Sequence, residues 1–172
     1  MSSYRRKKSI RLQNYDYAQN GRYFITICTK NRQHLFGRVI DGEMRLNRAG
    51  EMVERLWSEI PQFYVGFVLH EFVVMPNHFH AIVEIAGKTP PWLSDAHVTK
   101  QLTIPEILHR FKTLTTRKYI EGVVDNEEWE RFHGKLWQRS YHEHIIRDEK
   151  SYKTIVQYVQ NNPLRWVEDC YY

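Results

Sequence analysis

Cysteine is scarce: the 172 residues hold only Cys28 and Cys170, far apart in the chain. Such a pair builds neither a disulfide framework nor a thiolate metal cluster, which suits a reducing compartment. Cys28 stands in an apolar run and reads as a small core residue. Long hydrophobic runs are missing too. No window approaches the ~20 apolar residues of a membrane span. The first ten residues are polar and basic, unlike a secretion signal, so the expectation is a soluble, cytoplasmic protein. No internal repeat is present. An acidic excess is also lacking. The net charge is +5, a modest pointer toward a polyanionic partner.

What is present is enough to fold. Hydrophobic residues make up 42% and aromatics 14%, too apolar for disorder and sufficient for a core. The length fits one domain, 1–172. Residues 1–20 form a basic arm, with Arg5, Arg6, Lys7 and Lys8 either solvated or set against phosphates. Residues 87–102 read as a surface loop from their Pro, Gly and Ser content. A first strand is expected over 22–30, and a turn at Asp41-Gly42 precedes a short strand over 44–46. Asn47 caps a helix running to Ile60, where Pro61 ends it. Thr103 caps a second helix from Ile104 to Ile120, with Ile107, Leu108, Phe111 and Leu114 toward the core. A strand is expected over 136–147. Asp148 caps a last helix through Asn161, stopped by Pro163.

The chain is organised around Val73-Val74-Met75-Pro76-Asn77-His78-Phe79-His80-Ala81-Ile82-Val83. Two β-branched runs flank a tight Pro-Asn connection and read as neighbouring strands. Side chains alternate along a strand. His78 and His80 therefore share a face, where both imidazoles can reach one divalent ion. Taken alone, the pair is equally well a half-exposed strand bonded to its neighbours. A second stretch, Tyr158-Val159-Gln160-Asn161-Asn162-Pro163, adds to it. Tyr158 and Asn162 stand one helical turn apart on one side. If that helix crosses the His face, the amide oxygen completes a metal site and the phenol stands beside it. A metal can stabilise the charge that develops on a phosphodiester, and a tyrosine can attack phosphorus and hold it covalently.

These residues resemble the HUH endonucleases with a single catalytic tyrosine, and within them the REP-associated tyrosine transposases. The resemblance runs through Tyr4-Arg5-Arg6, Tyr23-Phe24-Ile25-Thr26, Val74-Met75-Pro76-Asn77-His78-Phe79-His80, Trp137-Gln138-Arg139-Ser140-Tyr141-His142-Glu143-His144, and Tyr158 with Asn162-Pro163. It implies an α+β fold, a central antiparallel sheet flanked by helices on the ferredoxin-like plan. It implies His78, His80 and Asn162 as ligands of Mg²⁺ or Mn²⁺, and Tyr158 as nucleophile. Position 162 carries Asn where mobile relatives often have Gln. The implied substrate is single-stranded DNA beside a hairpin-forming palindromic repeat, cleaved to a 5′-phosphotyrosine and a free 3′-OH. The implied partner is DNA and not a membrane, and the implied state is a monomer or a homodimer.

Further candidates surround this set. His142 and His144 share a strand face, either as ordinary polar residues or as auxiliaries to the scissile phosphate. Arg110, Lys112, Arg117 and Lys118 on the second helix are either a solvated face or contacts to the DNA backbone. Tyr119 is a rival nucleophile with no ligand one turn later. Two other functions compete with strand transfer: a catalytically silent, regulatory module that binds hairpin DNA, and a histidine-based metal hydrolase of small phosphoesters.

Overall fold

The structure is a computed structural model describing residues 20–64, 66–86, 103–125 and 129–168. The basic arm of residues 1–19 and the loop of residues 87–102 lie outside the described residues, as does Cys170. Strand β1 spans Gly21–Cys28, β2 Gly37–Ile40 and β3 Glu43–Leu46; helix α1 spans Arg48–Glu59. Strands β4, Phe67–Val74, and β5, His78–Ile85, follow, then helix α2, Ile104–Asp125, strand β6, His142–Ile146, and helix α3, Glu149–Gln160. Four strands form an antiparallel sheet in the order β4-β5-β1-β6. With the β2–β3 hairpin set aside, β1-α1-β4-β5-α2-β6 is the ferredoxin-like βαββαβ plan, and α3 is added to it. Among the described residues, no helix is long and apolar enough to cross a membrane.

The sheet has two unlike faces because its side chains alternate. Tyr23, Ile25 and Ile27 of β1 and Phe79, Ala81, Val83 and Ile85 of β5 are buried against α1 and α2. There Trp57 of α1 packs 4.8 Å from Phe79 and 4.8 Å from Phe111 of α2, ring centre to ring centre. Edge-to-face packing of this kind adds specificity to the area buried. Phe24, Thr26 and Cys28 of β1 and His78, His80 and Ile82 of β5 point the other way. A smaller apolar cluster on that side, Ile82, Ile146 and Val159 with half-buried Ile155 and Val156, holds α3.

The local signals read in the sequence form as expected at most ends. Asn47 Oδ1 accepts from the Gly50 N–H at 2.9 Å and Asp148 Oδ1 from Ser151 N–H at 2.7 Å. Thr103 and Glu106 bond to each other reciprocally at the start of α2, a capping box. Asp41 and Gly42 both have positive φ, 51° and 77°, as a two-residue hairpin turn requires.

Three expectations change. The Asp41-Gly42 turn joins two strands, β2 as well as the expected β3. Helix α2 runs to Asp125, and Leu114 is 38% exposed. Thr115 and Tyr119 continue its buried stripe instead, because Thr115 Oγ1 accepts from the Trp137 indole N–H at 2.8 Å. The expected strand over 136–147 is regular only at His142–Ile146. Before that, Lys112 Nζ donates to the carbonyls of Gln138 and Ser140 at 3.0 and 3.1 Å.

Candidate active site

The connection Met75-Pro76-Asn77 is held from outside. The Pro76 carbonyl accepts from Leu35 N–H at 2.8 Å and Phe36 N–H at 3.2 Å. The Asn77 carbonyl accepts from Thr29 N–H at 2.8 Å and from the Thr29 hydroxyl at 2.9 Å. These bonds anchor the start of β5, so the next side chains are aimed by backbone rather than by a mobile turn.

His78 and His80 are fully buried, with ring centres 4.5 Å apart. Each ring has its Nδ1 fixed: His78 by Asn77 Oδ1 at 2.8 Å and His80 by Thr26 Oγ1 at 2.7 Å. Asn77 Oδ1 only accepts. His78 therefore carries its proton on Nδ1 and presents the lone pair of Nε2, the tautomer that an outer hydrogen bond imposes on a metal-binding histidine. Each ring also has an aromatic wall. Phe24 stacks on His80 at 5.2 Å and 27°, and Trp166 stacks on His78 at 5.8 Å and 25°. Burial holds the His80 pKa well below the ordinary imidazole value, and the neighbouring His78 lowers it further. His80 is thus neutral, with a lone pair to give.

Helix α3 closes the pocket. The Tyr158 hydroxyl lies 3.4 Å from His80 Nε2, and Asn162 Oδ1 lies 3.3 Å from His78 Nε2. Asn162 is buried and Tyr158 half-buried. Two imidazole nitrogens, an amide oxygen and a phenol therefore converge. As oriented, Nε2 of His78 and Oδ1 of Asn162 are both acceptors facing one another. A cation satisfies such a pair where a shared proton does not. Two imidazole nitrogens and a neutral amide oxygen, with no thiolate, are donors that several divalent ions accept, Mg²⁺, Mn²⁺ and Zn²⁺ among them. Among the described residues, no group of three or more His, Cys, Asp or Glu that could hold a metal ion is present; beside the two imidazoles, a third donor would have to be the Asn162 amide.

The remaining sequence candidates fall elsewhere. His142 and His144 are exposed on the same sheet face, opposite Thr26 and Phe24 in register. Thr26 in turn lies opposite His80. One row across the sheet thus runs His80, Thr26, His142, and spans about 10 Å by strand spacing. Arg110, Lys112, Arg117 and Lys118 stand on α2, across the sheet from the His pair. There Arg117 and Lys118 both pair with Glu121, at 3.0 and 2.7 Å, and the Arg110 guanidinium lies over Phe63 and Tyr64. Arg5, Arg6, Lys7 and Lys8 are outside the described residues. Tyr119 is a core residue: its hydroxyl donates to the Glu130 carbonyl at 2.8 Å, and burial, then the Glu130 charge, push its pKa up to about 12. Thr26, Asn77, Phe24 and Trp166 are the site residues that sequence reasoning missed. Strand alternation could have found Thr26; Trp166 follows the helix-stopping proline and carries no local signal.

The chain is 40% identical over 173 residues to an uncharacterized protein of Haemophilus influenzae, covering 96% of this chain and 93% of that one. It is 23% identical over 168 residues to a second Haemophilus influenzae protein, named as a REP-associated tyrosine transposase, of which 77% is covered. Its fold is similar to that of a REP-associated tyrosine transposase solved bound to a REP hairpin, with a TM-score of 0.57, 20% identity, and coverage of 96% of this chain and 74% of that one. No protein-family model matches.

Proposed function

We propose that the chain is a REP-associated tyrosine transposase, like the relative and the structural neighbour that carry that name, and that it nicks and rejoins single-stranded DNA beside hairpin-forming palindromic repeats. The observation that carries this reading is the convergence of His78 Nε2, His80 Nε2, Asn162 Oδ1 and the Tyr158 hydroxyl in one pocket. His78, His80 and Asn162 would hold Mg²⁺ or Mn²⁺. Bound there, the ion supplies Lewis acidity that draws charge from the phosphate oxygens.

The chain's own residues supply the rest. Tyr158 loses its proton to water, and its oxygen attacks phosphorus. The P–O3′ bond breaks, and the 3′ oxygen takes a proton from water to leave as a hydroxyl. The 5′ phosphate stays on Tyr158. One phosphodiester has been exchanged for another, so a 3′-OH can attack the phosphotyrosine and reverse the step. Asn77 keeps the His78 proton on Nδ1, and Thr26 holds the same nitrogen of His80. Phe24 and Trp166 exclude water from the ring faces. Tyr158 meets the His pair of its own chain, which supports cleavage in cis. His142 and His144, on the open part of the same face, are placed to meet the DNA strand as auxiliaries.

The test is a labelled single-stranded oligonucleotide carrying a palindromic repeat, mixed with Mn²⁺ and protein and run on a denaturing protein gel. Wild type should carry label at protein mass; Tyr158→Phe should bind the DNA and carry none. Adduct formation by Tyr158→Phe would refute the nucleophile. Salt-dependent binding by wild type with no adduct in either metal would leave a hairpin-binding module in place of an enzyme.

A further inference from the structure

Three segments meet around the mouth of the pocket. Residues 29–36 leave β1 and return to the connection before His78, through Thr29 N–H to Asn77 O and Leu35 N–H to Pro76 O, both 2.8 Å. Residues 135–142 lie alongside, with Lys30 N–H donating to Leu136 O and Gln138 N–H to Cys28 O, both 2.8 Å. Residues 161–167 follow α3, and Trp166 joins them to the first segment through His34, ring centres 5.5 Å apart.

The charge of these segments is one-sided. None contains Asp or Glu, and together they carry Lys30, Arg32, Lys135, Arg139 and Arg165. Lys30, Arg32, Arg139 and Arg165 are exposed. The first segment is also held in an unusual shape. Asn31 and Arg32 are both left-handed, with φ of 57° and 54°, a conformation that arginine rarely adopts. The Thr29 hydroxyl, which reaches the Gln33 carbonyl at 2.8 Å and the Asn77 carbonyl at 2.9 Å, ties that turn to the residue before His78. Backbone strain of this kind persists where the surroundings impose it and marks functional positions. The basic helix α2 stands elsewhere: it packs on the sheet face that carries Phe79, across from the His pair.

We propose that the turn Lys30-Asn31-Arg32, with Arg139 and Arg165, is the rim that binds the sugar-phosphate backbone of the single strand and leads it to Tyr158, and that α2 is not. This rests on the reading above that the substrate is single-stranded DNA. Cations on three separate segments around one pocket can follow a backbone through it, as single-strand grooves do.

The experiment measures hairpin-strand binding against salt in a Tyr158→Phe background, where no cleavage intervenes. Each phosphate contact on a single strand contributes about 0.7 to the slope of log K against log salt. Lys30→Gln with Arg32→Gln should make the slope shallower by about 1.4. Arg139→Gln, on a different segment, should make it shallower by about 0.7. Arg117→Gln with Lys118→Gln should leave it unchanged. Thermal melts of each variant show whether the fold is intact, and the single Arg139→Gln keeps the test open if the strained turn does not tolerate change. Unchanged slopes in both rim variants, or a slope lost only with the α2 pair, would overturn the proposal while leaving the nuclease reading in place. A wild-type chain that binds but forms no adduct would overturn the nuclease reading, with the rim still judged by its slopes. No binding by wild type would overturn both.

Discussion

Replacing Thr26 by valine isolates the outer layer of the site. The hydroxyl is buried and lies 2.7 Å from His80 Nδ1. Valine has nearly the same shape, so packing is retained and only the bond is lost. The ring then has a buried Nδ1 with no hydroxyl to meet it, which costs about 1–3 kcal/mol. For a chain of this length, each kcal/mol lowers Tm by about 2–4 °C. The ring is also freed to turn or to move its proton to Nε2, which removes the lone pair that the ion needs. Loss of an outer partner of this kind lowers metal affinity by about 10–100-fold, equivalent to roughly 1.4–2.7 kcal/mol. The assay is Mn²⁺ titration of DNA-free protein, with free Mn²⁺ read by electron paramagnetic resonance, beside a thermal melt. Thr26→Ser, which keeps the hydroxyl, should restore most of the affinity. A valine variant that melts lower yet binds Mn²⁺ as wild type does would refute the argument, because Thr26 would then support the fold without orienting a ligand.

Trp166→Ala removes the wall against His78 and should weaken Mn²⁺ binding roughly 2–10-fold, from the ~0.5–1.5 kcal/mol of an aromatic pair; Trp166→Phe should retain it, and equal titrations for both would count against the stacking. Tyr119→Phe should cost about 1 kcal/mol of stability through its bond to Glu130 and leave adduct formation intact; loss of the adduct in a folded variant would restore Tyr119 as a nucleophile. The buried His80 makes stability depend on pH. Its folded pKa lies below the unfolded value of ~6.5, so the unfolded chain takes up the proton first as pH falls. Its contribution is complete above that value and is lost progressively below it, toward the folded pKa. Melts from neutral pH downward should therefore show wild type losing more Tm than His80→Gln; parallel curves would refute a neutral, buried His80.

The parts legible in the sequence were those set by local chemistry. Helix starts at Asn47, Thr103 and Asp148 each depend on a side chain bonding to a backbone N–H about three residues on, a pattern of fixed spacing. The sharing of a face by His78 and His80 follows from strand alternation alone. What was not legible depends on partners distant in sequence. Leu114 looks like a core residue until Trp137 arrives and needs an acceptor, which Thr115 provides. The segment before β6 alternates like a strand, but two of its carbonyls are taken by Lys112. The basic face of α2 looks like a DNA surface in one dimension. Only the topology shows that it stands across the sheet from the His pair.

Helix α3 has to be held in rotation as well as in place, because a turn about its axis carries Tyr158 away from His80. Its apolar stripe cannot do this alone. Burial is non-directional, and the cluster beneath α3 is small beside the core on the other face. Directional contacts stand at both ends instead. At the start, the Tyr152 hydroxyl lies 3.1 Å from His70 Nδ1, and His70 Nε2 lies 2.9 Å from Glu84. Arg22 donates to the same Glu84 oxygen at 3.1 Å, lies over the Tyr152 ring at 4.4 Å, and donates to Glu149 of α3 at 3.2 Å. Burial pushes the Glu84 pKa up, but the bonds from Arg22 and His70 outweigh it and hold it below the usual value, so the acceptor stays ionised at neutral pH. At the far end, Asn162 faces His78 and Trp166 stacks on that same ring. Hydrogen bonds weaken steeply when bent, so contacts at two separated points along the helix fix the angle that an apolar stripe leaves loose. The residues that aim Tyr158 are therefore divided between β1, β4 and β5 at one end and the chain after α3 at the other, and the His78 ring takes part in the second.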